Sequence, residues 1–259
     1  MELTWAGKRK AIVITIFSLI GLTIISGVAI SVFYKVPSCT DKKQNQEEVG
    51  IDCGGSCSAL CLSEVQPATV RFARALQSSS GRTDFIAYID NPNKSAGVDQ
   101  VEAIVELYGN NHALLYRKEV TLDLPPATSV PLYIPNILQK SDTVTQTFLT
   151  LRNDSFTWIK AVQDADSRPT VDDIMVQETE TPRIVARLNN NTAYPVADTT
   201  LVVTVFDSSG NAIAASKTLV PTLSPQGTAP LVFTWNLPFP APVARVEILP
   251  LQEVFPQGP

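Results

Sequence analysis

The chain has 259 residues, of which 44% are hydrophobic, and its formal net charge is -5 at pH 7. This length fits two modules of about 100 residues with additional segments, and the apolar content is enough for packed cores, which excludes a largely disordered chain. Because the net charge is negative and no basic stripe is interleaved with aromatic residues, we expect no nucleic-acid partner.

Residues 11–34 form the first predicted element, a transmembrane helix. The stretch AIVITIFSLIGLTIISGVAISVFY contains no charged residue, and about 20 consecutive apolar residues are enough to cross the hydrocarbon core of a bilayer as a helix. A cleaved signal peptide is the alternative, but its apolar region is typically about half as long. We therefore expect the helix to be retained as an anchor in the cell membrane.

Basic residues set the predicted orientation of this helix. Lys8, Arg9 and Lys10 precede it, whereas only Lys35 stands directly after it. By the positive-inside rule, the short tail over residues 1–10 stays in the cytoplasm, and everything after the span is extracytoplasmic. We expect a single-pass membrane protein whose C-terminal domains lie outside the cytoplasm.

Small residues recur at every fourth position within the span. Thr23, Gly27 and Ser31 form a row that would let two helices approach closely. These three residues are a candidate helix–helix contact through which the chain would form an oligomer. Small residues are also common in isolated membrane spans, so both interpretations stand.

The next element is a cysteine-rich segment over residues 38–62, which holds all four cysteines: Cys39, Cys53, Cys57 and Cys61. In an oxidising compartment such a cluster predicts two disulfides, and four cysteines allow three connectivities. The segment has few large apolar residues, so bridges would replace burial as its source of order. We therefore expect a stiff collar near the membrane, separate from the cores of the later domains.

Metal binding is the competing interpretation of this segment. Structural zinc sites usually take two close cysteine pairs separated by a longer loop, whereas here three cysteines are bunched and Cys39 is remote. The loop over residues 41–52 also carries carboxylate and amide oxygens in an order that resembles a calcium loop, interrupted by Lys42 and Lys43. A solvated acidic loop is favoured, and we expect no metal or cofactor, while calcium binding by the loop stays open.

The run DCGGSC at residues 52–57 resembles the cysteine-rich DCGG motif found in many predicted surface proteins of bacteria and archaea. In those proteins the motif often stands next to a membrane anchor or between extracellular modules, so the resemblance implies a surface location rather than an activity. Gly54 and Gly55 within it would supply the positive φ values that a tight segment requires. Lys42 stands where the motif commonly has a glycine.

Beyond the cysteines the chain repeats itself. DFIAYIDNPN at 84–93 parallels RIVARLNNNT at 183–192, VEAIVELYG parallels TTLVVTVFD, and LPPATSVPLYI parallels LSPQGTAPLVF. Three collinear matches at one period predict two copies of one domain, over residues 64–164 and 171–253. A tail over residues 254–259 has no partner in the repeat.

Each copy has the pattern of short antiparallel strands. Apolar residues alternate with exposed types at Val101, Ala103, Val105 and Leu107 in the first copy and at Leu201, Val203 and Val205 in the second. This alternation predicts half-buried strands, and their spacing predicts a mainly β fold of two tandem antiparallel immunoglobulin-like β-sandwiches. VELYG and VTVFD also resemble the strand signature of FxLYD-type domains, small immunoglobulin-like modules of prokaryotic exported proteins.

Catalysis is not expected. The one histidine, His112, falls in the predicted turn GNNHA, and neither a nucleophile elbow nor a phosphate-binding loop accompanies it. We expect a membrane-anchored extracytoplasmic binding or structural protein whose partner is another protein or a cell-wall polymer. The alternative is an accessory subunit of a cell-envelope assembly or secretion machine, in which the helix assembles laterally with partners.

Overall fold

The computed structural model describes residues 5–33, 38–45, 47–77, 81–138, 143–152, 156–161 and 168–251. A long helix, α1, spans Trp5–Phe33. It begins before the predicted span because lysine and arginine are good helix formers, so the basic triplet continues the helical turns. Tyr34, the last residue of the predicted span, and the predicted tail over 254–259 lie outside the described residues.

The part of the chain described after α1 contains thirteen β-strands. In chain order these are β1 Thr69–Gln77, β2 Thr83–Asn91, β3 Ala96–Tyr108, β4 Leu114–Leu124, β5 Thr128–Leu138, β6 Gln146–Leu151, β7 Trp158–Lys160, β8 Thr170–Gln177, β9 Arg183–Asn189, β10 Thr199–Phe206, β11 Ala212–Val220, β12 Thr228–Thr234 and β13 Arg245–Pro250. Among the described residues, the only helical turns after α1 are two short 3-10 turns at Leu62–Glu64 and Asn110–His112. The predicted mainly β fold with an N-terminal apolar helix is confirmed.

Within the described part of the chain the strands pair in four antiparallel sheets. Their orders are β1-β2-β5, β4-β3-β6, β12-β9-β8 and β11-β10-β13, and β7 pairs with the start of β3. The two halves therefore share one connectivity. In each half the first, second and fifth strands form one sheet, and the third, fourth and sixth form the other. The aligned segments at 84–93 and 183–192 supply the equivalent strands β2 and β9.

Each half encloses its own core between its two sheets. In the first, the four inward positions of β3 that the alternation predicts are fully buried, and Trp158 packs with them. In the second, the three inward positions of β10 are buried together with Phe233, and Trp235 packs partly buried against them. Neither core contains a cysteine, so the packing of apolar side chains alone stabilises them.

A buried asparagine closes the same corner of both halves. Nδ2 of Asn91 donates to three backbone oxygens at 2.8–3.2 Å, those of Ala96, Leu124 and Pro125. Nδ2 of Asn190 likewise donates at 2.8–3.3 Å to the backbone oxygens of Tyr194, Leu223 and Ser224. Several of these oxygens also accept from a second donor, such as the Leu223 oxygen from the Val196 N–H. The asparagine thus completes the hydrogen bonding of the corner in each half.

The two sandwiches pack face to face. The outward face of β1-β2-β5 covers the outward face of β11-β10-β13, so the four sheets form one stack. The contact is apolar and is made by Phe72, Leu76, Ile86, Tyr88, Tyr133, Val202, Phe206, Ala212, Ala215 and Leu249. The predicted half-burial of β10 is therefore wrong. Val202 and Thr204 would face solvent in an isolated sandwich but are 1% and 0% exposed, because the first sandwich covers them.

Three aromatic rings form the centre of this interface. Phe72 stacks on Tyr88 with ring centroids 5.0 Å apart, and Phe206 meets the two rings edge-on at 5.9 and 6.3 Å. The Tyr88 hydroxyl donates to Oγ1 of Thr204 at 2.9 Å, which satisfies two polar groups that would be costly to bury unpaired. Burial raises the pKa of Tyr88 above its ordinary value, so the hydroxyl keeps its proton in this contact.

The buried asparagine of the second half predicts a difference between two neighbouring substitutions. Asn190→Ala should lower the free energy of unfolding by about 2 kcal/mol, because three backbone oxygens each lose one of two donors and the Thr192 N–H loses its acceptor. Asn191→Ala is the matched control, since Asn191 is exposed and donates only to the Thr170 hydroxyl, and we expect an effect within about 0.5 kcal/mol. Denaturant unfolding measures both, and equal losses would contradict the role assigned to the corner.

Candidate functional site

The four cysteines form two interleaved disulfides. Cys39 is bonded to Cys57 and Cys53 to Cys61, with Cα atoms 5.7 and 5.0 Å apart. Of the three connectivities that the sequence allows, the structure has the one in which each bridge overlaps the other along the chain. Bridges over loops of this length typically stabilise a folded segment by about 2–4 kcal/mol each.

The two glycines of the DCGG run have the positive φ expected of them, +76° at Gly54 and +56° at Gly55. A Cβ on Gly55 would lie 1.7 Å from the backbone oxygen of Glu47, and one on Gly54 would lie 2.6 Å from Cβ of Val49. Both positions therefore require glycine for lack of space as well as for φ.

The acidic loop uses its side chains for hydrogen bonds of its own. Both carboxylate oxygens of Asp52 accept from the backbone N–H of Lys42, and Asp41 accepts from Nδ2 of Asn45. Glu48 is buried and accepts from the backbone N–H of Asn45. These contacts fold the loop back on itself beside the two bridges.

Within the described residues one group has metal-ligand spacing. Ligand atoms of Cys39, Glu48 and Cys57 lie within 4.8 Å of one another. Both sulfurs belong to the Cys39–Cys57 disulfide, and a metal would need the thiolate form of each cysteine. In the disulfide-bonded state this group is a buried carboxylate packed against a bridge, 3.3 Å from the Cys57 sulfur.

The cysteine-rich segment packs on the first sandwich, so the expected separation between the two is wrong. Residues 58–60 run beside β7, where the Leu60 N–H donates to the Trp158 oxygen and the Lys160 N–H donates to the Ser58 oxygen, both at 2.8 Å. Leu60 of the segment packs against the first core. The physical reason is that β7 pairs with β3 along one edge only, and the segment satisfies backbone groups on the other edge.

The other predicted site residues lie apart from the cysteines. Thr23, Gly27 and Ser31 lie along α1, and the hydroxyls of Thr23 and Ser31 donate back to carbonyls of the same helix. Helix–helix contact through this row stays a prediction. His112 is exposed at the turn between β3 and β4, with Nδ1 3.3 Å from Oε1 of Gln146.

A groove lies at the edge of the interface between the two sandwiches, and the sequence did not indicate it. Its volume is about 410 Å³. Residues 71–74 of β1 form one wall, and residues 210–212, with Phe206 and Arg245, form the other. Three arginines of the described chain line it: Arg71, Arg74 and Arg245.

Two of these arginines extend from β1 and are held by side chains beside the groove. Arg71 donates from Nε and Nη2 to the carboxylate of Asp90 at 2.9 and 2.8 Å. Arg74 donates from Nη1 to Oδ1 of Asn211, across the interface, at 2.6 Å. Hydrogen bonds from Asn211, its backbone N–H above all, lower the pKa of Asp207 and hold the turn that presents Asn211.

The third arginine belongs to the second sandwich. Arg245 pairs with Glu247, and its Cζ lies 4.0 Å from the centroid of the Phe206 ring, a cation–π geometry. The sequence does not indicate this set because Arg71 and Arg245 lie in different halves and only the packing of the sandwiches brings them together. The one local indication in the sequence is that Arg71 and Arg74 stand on either side of the apolar pair Phe72 and Ala73 in β1.

The geometry of the bridged segment predicts a contrast between two glycines with positive φ. Gly55→Ala should prevent closure of the segment, because its Cβ would collide with the backbone of Glu47, and free thiols should appear on alkylation under denaturing, non-reducing conditions. Gly81→Ala is the matched control: its φ is +83° and the space around it is open, so we expect a cost of about 1 kcal/mol and no free thiol. Gly55→Ala with both disulfides intact and unchanged thermal stability would refute the prediction.

Comparisons with known proteins do not identify a family for this chain. No family model matches it, and no curated protein matches it. Among solved structures, the chain is similar to red sea bream transglutaminase at 12% sequence identity with a TM-score of 0.27. That similarity covers 72% of this chain and 29% of the transglutaminase chain.

Proposed function

We infer that the chain is a single-pass membrane-anchored extracytoplasmic protein that binds a partner or serves as a structural spacer, without catalytic activity. The observation that carries this proposal is the apolar helix. The candidate span from Arg9 to Ser31 is 23 residues long, and its most apolar 18 residues are not buried against the rest of the protein. A helix with exposed apolar side chains all round is stable in lipid rather than in water.

The chemistry of the cysteine-rich segment supports the extracytoplasmic position of the sandwiches. Disulfides persist in oxidising compartments and are rare in the cytosol, and both bridges lie in the segment that follows α1. The basic triplet before the span favours the same orientation by an independent argument. Two unrelated physical effects therefore favour the same orientation.

The packing of the soluble part suits presentation of a binding surface at a fixed orientation. The cysteine-rich segment is hydrogen bonded to β7, and the two sandwiches share an apolar interface. Segment and sandwiches would therefore move as one unit on the anchor. The resemblance to the DCGG motif and to FxLYD-type modules agrees with a surface protein of this kind, with a protein or a cell-wall polymer as partner.

The proposal predicts the outcome of a topology measurement on the expressed full chain. Intact mass should include residues 1–34, which distinguishes a retained anchor from a cleaved signal peptide. Protease added to cells without their wall should degrade the sandwiches and leave a small membrane fragment. A variant with Lys8, Arg9 and Lys10 replaced by Gln is the control for orientation, since it leaves Lys35 as the basic residue nearest the span and should give a mixed population.

Two results would overturn this proposal. Sandwiches that are protected from protease in wall-less cells but degraded after detergent treatment would place them in the cytoplasm. A mature chain that begins after the apolar stretch would show that the helix is a signal sequence rather than an anchor.

A further inference from the structure

We propose that the groove between the two sandwiches is a binding site for a small anionic ligand, one that carries a carboxylate or a phosphate on a body about the size of a sugar ring. This site goes beyond the anchored function above, because it assigns a ligand class to the soluble part. Pockets for small molecules commonly form where two domains meet, and about 300–1,000 Å³ is their usual volume. The groove, at about 410 Å³, lies within this range.

The charge of the groove is opposite to that of the chain. The whole sequence has 20 lysines and arginines against 25 aspartates and glutamates, yet the described residues that line the groove include three arginines and no acidic residue. Arg71 and Arg245 have carboxylate partners beside the groove. Among the described residues Arg74 has no ion pair within 4 Å: its Nη1 contacts a neutral amide, and the Asp207 carboxylate, whose pKa the charge of Arg74 helps to lower, is hydrogen bonded to Asn211 instead. Arg74 is therefore the one arginine of the groove without a direct carboxylate partner among the described residues.

The guanidinium groups also keep donors for a ligand. Each guanidinium has five N–H groups in a fixed plane. Arg71 uses Nε and Nη2 toward Asp90, whereas Arg74 uses Nη1 toward Asn211. A planar array of N–H groups matches the oxygens of a carboxylate or phosphate, so a ligand oxyanion can bind without displacing these contacts.

Irregular strand pairing builds the wall that presents these residues. The register of β1 against β2 shifts between Val70 and Phe72, which leaves Arg71 without a partner opposite it. Ala73 packs against the core while Phe72 packs in the interface, so regular alternation would turn Arg71 toward the core. Instead its Cζ lies 5.7 Å from the centroid of the Tyr88 ring, on the interface side. β-bulges commonly redirect a side chain at functional sites.

The opposite wall has an irregularity of the same kind. The register of β10 against β11 shifts between Val205 and Phe206, so that Phe206 pairs with Ala212. Both residues line the groove. Phe72 is partly buried and gives the ligand body an apolar contact while the arginines hold its charge, whereas Phe206 is only 2% exposed and lies beneath Arg245. A ligand in this position would contact both sandwiches at once.

Isothermal titration calorimetry on the full chain in detergent tests the site, with glucuronate, glucose 6-phosphate and neutral glucose as probes. We expect one of the two anions to bind with a Kd of about 1 mM or tighter, and glucose not to bind. Which anion binds distinguishes a carboxylate ligand from a phosphate ligand. Arg74→Gln should weaken binding about tenfold or more, since it removes a charged donor whose present partner is neutral.

Arg117→Gln is the matched control. Arg117 is exposed and paired with the carboxylate of Glu106, as Arg245 is with that of Glu247, but it lies on the far sheet of the first sandwich. Its substitution should leave the affinity unchanged. Arg245→Gln is a second variant within the groove and should also weaken binding. The proposal is overturned if neither anion binds, if glucose binds equally, or if the two groove variants retain full affinity. Because the protein is in detergent, none of these outcomes depends on its orientation in a membrane.

Discussion

The apolar contact between the sheets β1-β2-β5 and β11-β10-β13 is the constraint on which the rest of the soluble part depends. β2 and β10 are each covered on both faces, once by their own core and once by the other sandwich. Unfolding of either half would therefore expose apolar surface of the other, which couples their stabilities. The groove exists only at the edge of this contact, and the hydrogen bond between Tyr88 and Thr204 fixes the register of the two faces.

The strands are predictable from the sequence, whereas the contact between the sandwiches is not. In β3, outward Glu102 and Glu106 interrupt the apolar residues, so period-two alternation identifies the buried face. In β2 the run FIAYI is apolar at successive positions, a pattern typical of strands buried on both faces. Nothing local identifies what covers the second face, because Tyr88 and its partner Thr204 are 116 residues apart.

The cysteine-rich segment shows the same division between local and distant causes. Positive φ at Gly54 and Gly55 follows from neighbouring residues, and the structure has it. The choice of disulfide pairing depends on how the whole segment folds, and its docking depends on β7, which lies far along the chain. The collar interpretation assumed that a segment with few apolar residues has no core to join. Leu60 joins the segment to a core that the sandwich already provides.

The contact between the two sandwiches joins two different sheets, β1-β2-β5 and β11-β10-β13. A heterologous contact of this kind can repeat from molecule to molecule and form a filament. The outer faces oppose this. The Thr204–Ala215 pair lies in the interface, and its equivalent in the first sandwich is the Glu106–Arg117 ion pair on an outer face. The Tyr88–Pro131 pair also lies in the interface, and its equivalent in the second sandwich is Arg187 paired with Pro230. A third sandwich that packed on either outer face would have to desolvate these charges, which is costly. The outer faces therefore oppose further stacking, as the polar faces of capping repeats do in solenoid proteins.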